Sequence, residues 1–184
     1  MSELNFKHIG RNVTISPKAS IYRPEMIEIG DNVRIDDFCI LSAGDGGISI
    51  GDNVHIAPYC SLVGKGRIVL EKRSQFAQRV YLMSSSDDFS GSYLVGPCVP
   101  EAFRNVKHGD ITIGRDSVIG CNAVIFPGVT VGANSAIGAM SLVNRDVPED
   151  VIYAGIPAKY IKDRFKRNYE VDDAITHFAY QPGE

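Results

Sequence analysis

The chain has no tryptophan, a formal net charge of only −3 and four cysteines in 184 residues. Each shortage excludes something. With few large side chains and 18 glycines, the composition fits a thin solenoid core better than a thick globular one. The weak charge, unrelieved by any basic block, gives no electrostatic footprint for nucleic acid. No apolar run approaches membrane-spanning length. The opening "MSELNFKHIGRN" lacks a basic stretch followed by an apolar one, so no signal peptide is expected and a cytoplasmic location is. The cysteines, Cys39, Cys60, Cys98 and Cys121, match no zinc spacing, and reduced thiols fit a cytoplasmic protein. Only four histidines exist, His8, His55, His108 and His177. A zinc site built from three of them is not expected, because His55 alone falls in the middle of the patterned chain. The expectation is one domain's worth of chain with no metal.

What the chain does have is a repeat. In 113–147, "IGRDSVIGCNAVIFPGVTVGANSAIGAMSLVNRDV", an aliphatic residue recurs every six positions: Ile113, Ile119, Ile125, Val131, Ile137, Val143. Four residues after each comes something small or medium: Ser117, Ala123, Val129, Ser135, Ser141, Val147. A period of six suits neither an α-helix nor an amphipathic strand. It suits a parallel β-helix, in which each hexapeptide is a short strand plus a turn and three close a triangular coil. The same phase runs backwards through Leu70, Phe76, Leu82, then Ile50, Ile56, Leu62, then Ile29, Ile35, Leu41, and irregularly Ile9, Ile15, Ile21. Val33, Cys39, Val54, Cys60, Ser74, Val80 and Ser86 would point inward. Extra residues in "SAGDGG" and "VGKGR" read as bulged corners. Asn32, Asn53, Asn122, Asn134 and Gly128 stand where a tight corner needs left-handed backbone.

Two stretches break the pattern. In 88–110 the period is lost, yet Phe89, Tyr93, Leu94, Val99 and Phe103 make the stretch too apolar for a solvated linker, so a long ordered loop is expected. After Val147, prolines end the regularity, and 158–169 reads as a short helix with Tyr160, Ile161 and Phe165 on one side. The organisation expected is a β-helix domain over 1–157, carrying the loop 88–110, then a C-terminal helix and tail over 158–184.

On these motifs the chain resembles the hexapeptide-repeat acyltransferases, all-β enzymes folded as a left-handed parallel β-helix. "IGCNAVIFPGVTVGANSAIGAMSLVNRDVPEDVIYAGIPAKYI" is similar to the terminal coils of their sugar and xenobiotic O- and N-acetyltransferases, and "GIPAK" to their exit from the solenoid. The resemblance implies acetyl-CoA as co-substrate and a homotrimer with active sites between subunits. It places the pantetheine arm near Gly120, Gly138, Ala139 and Ser141, where small residues let a narrow ligand approach. Arg145 and Lys159 would hold the nucleotide phosphates.

The family's catalytic histidine ends the third strand before the long loop. Here the matching phrase is "LMSSSDDF", and Asp87 takes the histidine's position. His55, in "IGDNVHIAPYC", then becomes the candidate base, because a similar "HIAP" occurs in N-acetyltransferases of nucleotide-linked amino sugars. An ordinary carboxylate is a weak base for a hydroxyl, whereas imidazole is suited to the task. Ser86, Asp87 and Asp88, in "SSSDD", are better placed to hold a polar or amino-bearing sugar. Asp36 and Asp37, one coil before His55, are candidate acceptor ligands. His55 and Asp87 are expected at different corners, about 15 Å apart at about 3.3 Å per extended residue, so they would meet only across a subunit boundary. "VHIAPYCSL…SSSDDFSG" resembles acyltransferases of O-antigen and capsule clusters, which implies transfer to a sugar or nucleotide-linked amino sugar for surface polysaccharide. The loss of the usual histidine keeps open a second reading, a non-catalytic β-helix scaffold or assembly subunit.

Overall fold

The computed structural model describes residues 4–165. Short strands follow one another around three flat faces, and each pairs in parallel with the strand one coil above and below. The first face stacks His8–Ile9, Ile27–Ile29, Ile48–Ile50, Ile68–Leu70, Ile111–Ile113 and Thr130–Val131. The second stacks Thr14–Ile15, Arg34–Ile35, His55–Ile56, Gln75–Phe76, Val118–Ile119, Ala136–Ile137 and Val151–Gly155. The third stacks Ser20–Tyr22, Ile40–Ala43, Ser61–Gly64, Tyr81–Met83, Val124–Ile125 and Leu142–Val143. The result is a β-solenoid of about seven turns.

The six-residue period produces this directly. The aliphatic of each hexapeptide points into the triangular interior, where Ile35, Ile56, Phe76, Ile119 and Ile137 form one continuous row, all 2 % exposed or less. Burying each such side chain contributes about 1.5–3 kcal/mol. The residue four further on fills the corner, so Val33, Cys39, Val54, Cys60, Ser74, Val80, Ser117, Ala123 and Ser135 are buried too. Cys39 and Cys60 donate to the Ala57 and Ala77 carbonyls, which makes them packing residues. A hydrogen bond to Cys39, and burial, push the Cys60 thiol up. One inward expectation fails. Ser86 is only half-buried, and Ser84 takes the interior place, donating to the Gly66 carbonyl.

Corners require left-handed backbone. Asn32, Asn53, Asn122, Asn134 and Gly128 all have positive φ, as their types predict. Less expectedly, so do Phe38, Tyr59, Arg79 and Met140. Phe38 and Tyr59 sit at the second corner of successive coils and stack with ring centroids 5.0 Å apart. Lys18 and Arg79 lie over their outer faces. Side-chain stacking along the axis offsets a backbone strain of order 1–2 kcal/mol per residue.

The third corner is where coils differ. It holds the 3-10 turn Pro24–Met26, the glycine bulges at Gly44–Gly47 and Gly64–Gly66, and then the whole loop 88–110. The solenoid continues across that loop without a break, since Ile68, Val69 and Leu70 pair directly with Ile111, Thr112 and Ile113. Arg73 and Asp116 form a bidentate pair at 2.8 and 2.9 Å between the coils on either side of the insertion.

The expected helix is absent from its described part. Ala158–Asp163 is a strand, antiparallel to Val151–Gly155, and it closes the second face. The last coil otherwise presents an open row of backbone donors and acceptors, and a returning strand satisfies them where a helix would not. Gly155, at φ 104, makes the reversal, and Tyr153 meets Tyr160 edge to face at 6.1 Å. The rest of the expected helix and the tail, 166–184, lie outside the described residues.

Candidate active site

Two concave regions lie on the early coils. The larger is a groove of about 730 Å³ on the second face, floored by Thr14, Arg34 and His55 and edged by Asn12, Asn32 and Asn53. The asparagines stack at the first corner, with Asn12 Nδ2 donating to Asn32 Oδ1 at 3.1 Å. His55 opens the second-face strand His55–Ile56. The register puts it beside Arg34 of the coil below, so Asp36, just past the end of the strand Arg34–Ile35, comes within reach. His55 Nε2 lies 2.8 Å from Asp36 Oδ2, and Arg34 Nε donates to Asp36 Oδ1 at 2.6 Å.

Burial by itself pushes the Asp36 carboxyl up. Hydrogen bonds from His55 and then Arg34 outweigh that and hold it below its ordinary range. Asp36 is therefore an ionised acceptor. An acceptor there selects the Nε2–H tautomer and leaves Nδ1 of His55 as the basic nitrogen. Asp37 faces the same groove but is tied to Ser16 and to Lys18 Nζ at 2.7 Å. Those two contacts hold its carboxyl low, Lys18 first.

The smaller region, about 410 Å³, lies at the third corner under the return arm of the loop. Gly44, Gly64 and Ala43 line its inner side; Arg23, Lys65, Arg104 and His108 bring cations and imidazole to it. Ser85–Ser86 and Lys107–His108 form an antiparallel ribbon at the loop's base, and the Ser85 hydroxyl meets His108 Nδ1 at 2.7 Å. Ser86 donates to the Asp87 carbonyl at 3.2 Å. The half-buried Asp87 side chain makes no hydrogen bond among the described residues.

Asp88 has another task. It accepts from the Ser90 N–H at 2.7 Å and from Asn105 Nδ2 at 2.8 Å, joining the two ends of the loop. The Ser90 hydroxyl and N–H, followed by Asn105, hold it at about 2. At 8 % exposure it staples the loop.

The structure brings His55, Asp36 and Asp37 into one groove. Asp87 and Ser86 lie elsewhere, past the third face, so no His55–Asp87 dyad exists within one chain. The late-coil residues expected around the donor are spread along the far end. Gly120 is explained by packing, because a Cβ there would sit 2.5 Å from the Ala139 N. A Cβ on Gly138 would meet the Ala154 Cβ at 2.7 Å. Ser141 is buried and accepts the Gly155 N–H at 3.0 Å, so its hydroxyl is turned inward. Ala139, Arg145 and Lys159 are exposed. Sequence reasoning missed Arg34, Lys65 and Arg104. Arg34 was readable from the coil step that sets it against His55; Arg104 carried no signal, because the loop has no period.

Known proteins agree with this architecture. The family described as bacterial transferase hexapeptide (six repeats) matches residues 110–145. A dTDP-4-amino-4,6-dideoxy-D-glucose acyltransferase of Escherichia coli is 43% identical over 175 residues, covering 95% of this chain and 91% of that protein. A variant of AntD, an N-acyltransferase from Bacillus cereus in complex with dTDP and coenzyme A, superposes with a TM-score of 0.89 at 40% identity, covering 95% of this chain and 92% of AntD. AntD is also known in complex with dTDP and 3-hydroxybutyryl-CoA. The galactoside O-acetyltransferase of Escherichia coli K12 is 42% identical, but over 71 residues, 39% of this chain and 32% of that protein.

Proposed function

The chain belongs to the hexapeptide-repeat acyltransferases, which draw their acyl group from acyl-CoA, and we propose that it transfers that group to the amine of a dTDP-linked amino sugar. One observation carries the choice of acceptor. The likeness to the amino-sugar acyltransferase runs over 95% of the chain, through the early coils and the loop. The likeness to the galactoside enzyme stops at 39%. The acceptor-specific part of the chain therefore follows the N-acyl pattern. The acylated sugar nucleotide is an activated glycosyl donor for surface polysaccharide, made by a cytoplasmic homotrimer with its sites between subunits.

His55 supplies the base. Asp36 fixes its tautomer and stabilises the imidazolium that forms. The neutral amine attacks the thioester carbonyl and the C–N bond forms. A backbone N–H holds the oxyanion. His55 takes the amine proton and returns it to the departing sulfur as the C–S bond breaks, giving an amide and free CoA thiol. Asp87 of a neighbouring subunit accepts a hydrogen bond from the incoming neutral amine and orients it. The late coils around Gly120, Gly138 and Ala139 carry the pantetheine arm, with Arg145 and Lys159 at its phosphates. Acetyl is the expected acyl group.

The test is thiol release from acetyl-CoA, with 3-hydroxybutyryl-CoA as comparison donor and dTDP-4-amino-4,6-dideoxyglucose as acceptor. Stoichiometric amide is expected. No thiol release with any dTDP-amino sugar would sink the reading and leave a non-catalytic scaffold.

A further inference from the structure

The groove at the third corner has a composition that the chemistry of acyl transfer does not use. Among the described residues, Arg104 Nε is a buried side-chain nitrogen with no hydrogen-bond partner. A buried donor left unmade is costly, and it is kept where an absent group completes it. Beside it stands Lys65, whose ammonium is held among the described residues only by Glu101 at 3.4 Å, a carboxylate 82% exposed. That contact is weak and readily exchanged. Arg23, by contrast, is already engaged by Asp45 at 2.9 Å and Glu25 at 3.6 Å.

The glycines shape the inner side. A Cβ on Gly64 would strike the Ser84 hydroxyl, and one on Gly44 would strike the Lys65 backbone. The corner is thus stripped to main chain, with a guanidinium and an ammonium above it. Such a pairing of donors fits a diphosphate: the fork of Arg takes two oxygens and the point charge of Lys a third.

Resting on the acyltransferase reading above, we propose that this groove binds the diphosphate of the sugar-nucleotide acceptor, with Arg104 and Lys65 as its ligands. CoA also carries a diphosphate, so the test separates the two sources. Titrations of dTDP and of CoA into the full chain are compared for wild type, Arg104→Gln and Lys65→Gln. Both variants should weaken dTDP by about tenfold to hundredfold, the worth of a hydrogen bond to a charged group, and leave CoA unchanged. The salt dependence of dTDP binding should flatten with them. Lys65 is exposed, so its variant tests the groove even if Arg104→Gln disturbs the loop. Unchanged dTDP affinity in both variants overturns the proposal, and so does a loss confined to CoA. Wild-type protein that releases thiol with a free amino sugar but binds no dTDP also overturns it, while leaving the acyltransferase reading standing. Absence of thiol release with every dTDP-amino sugar, in protein that binds dTDP through Arg104, instead breaks the reading and keeps the groove.

Discussion

The coils after the loop step by 18 residues, Ile113 on Val131, and the last by 16, Ile137 on Tyr153, whereas those before it step by 20 or 21, Leu70 on Ile50 and Ile50 on Ile29. The few extra residues all sit at the third corner. The early coils also carry both grooves, the His55–Asp36 pair and the cation cluster. The late coils present Val118, Ala136 and Thr130 outward and hold their glycines for close stacking. Strict period and tight corners give a uniform wall. Departures from the period gather the cation cluster at the third corner, while the in-register coil step sets His55 against Asp36 on the second face.

That division can be broken from either side. His55→Ala should lower kcat by about 10²- to 10⁴-fold, the usual contribution of a positioned base, with an unchanged thermal unfolding curve. A variant retaining near-wild-type thiol release would remove His55 from the mechanism. On the late side, Ile119→Ala should lower stability by about 2–5 kcal/mol, read from urea unfolding, while the protein that remains folded keeps its kcat. If kcat fell as far as in the His55 variant, the late coils would not be the plain wall described.

The smallest effect concerns the loop alone. The fold holds the Asp88 carboxyl at about 2, below the ordinary carboxylate value of about 3.9. Its contribution is therefore full above that ordinary value and is lost as pH falls toward 2, because protonation removes the acceptor. Limited proteolysis across this window should cut 88–110 first and leave the coils intact. Simultaneous loss of loop and coils would show that Asp88 staples nothing by itself.

The sequence made the coils legible because interior position is a one-dimensional property: every sixth residue either fits the triangle or does not. Ile9 marks the limit, in phase yet 49% exposed, because among the described residues no coil lies beneath it. The terminal strand Ala158–Asp163 was not legible. Its residues favour a helix locally, and only the open edge of the last coil makes a strand the better answer. Within the site, His55, Asp36 and Asp37 could be gathered from the coil step. Their pairing could not, because Asp36 lies just past the end of its strand, where the coil step does not fix a side chain's direction. The part Asp88 plays in the loop was not legible either, since "SSSDD" does not reveal that Ser90 and Asn105 turn back on one carboxylate.

One consequence follows from the way Ile68–Leu70 passes its hydrogen bonds straight to Ile111–Ile113. The excursion between them enters and leaves at neighbouring rungs, so its length is invisible to the stack, and chain added there raises the closure entropy only logarithmically. The loop is in effect a cartridge: one segment can be exchanged or lengthened while the frame that carries it is inherited whole.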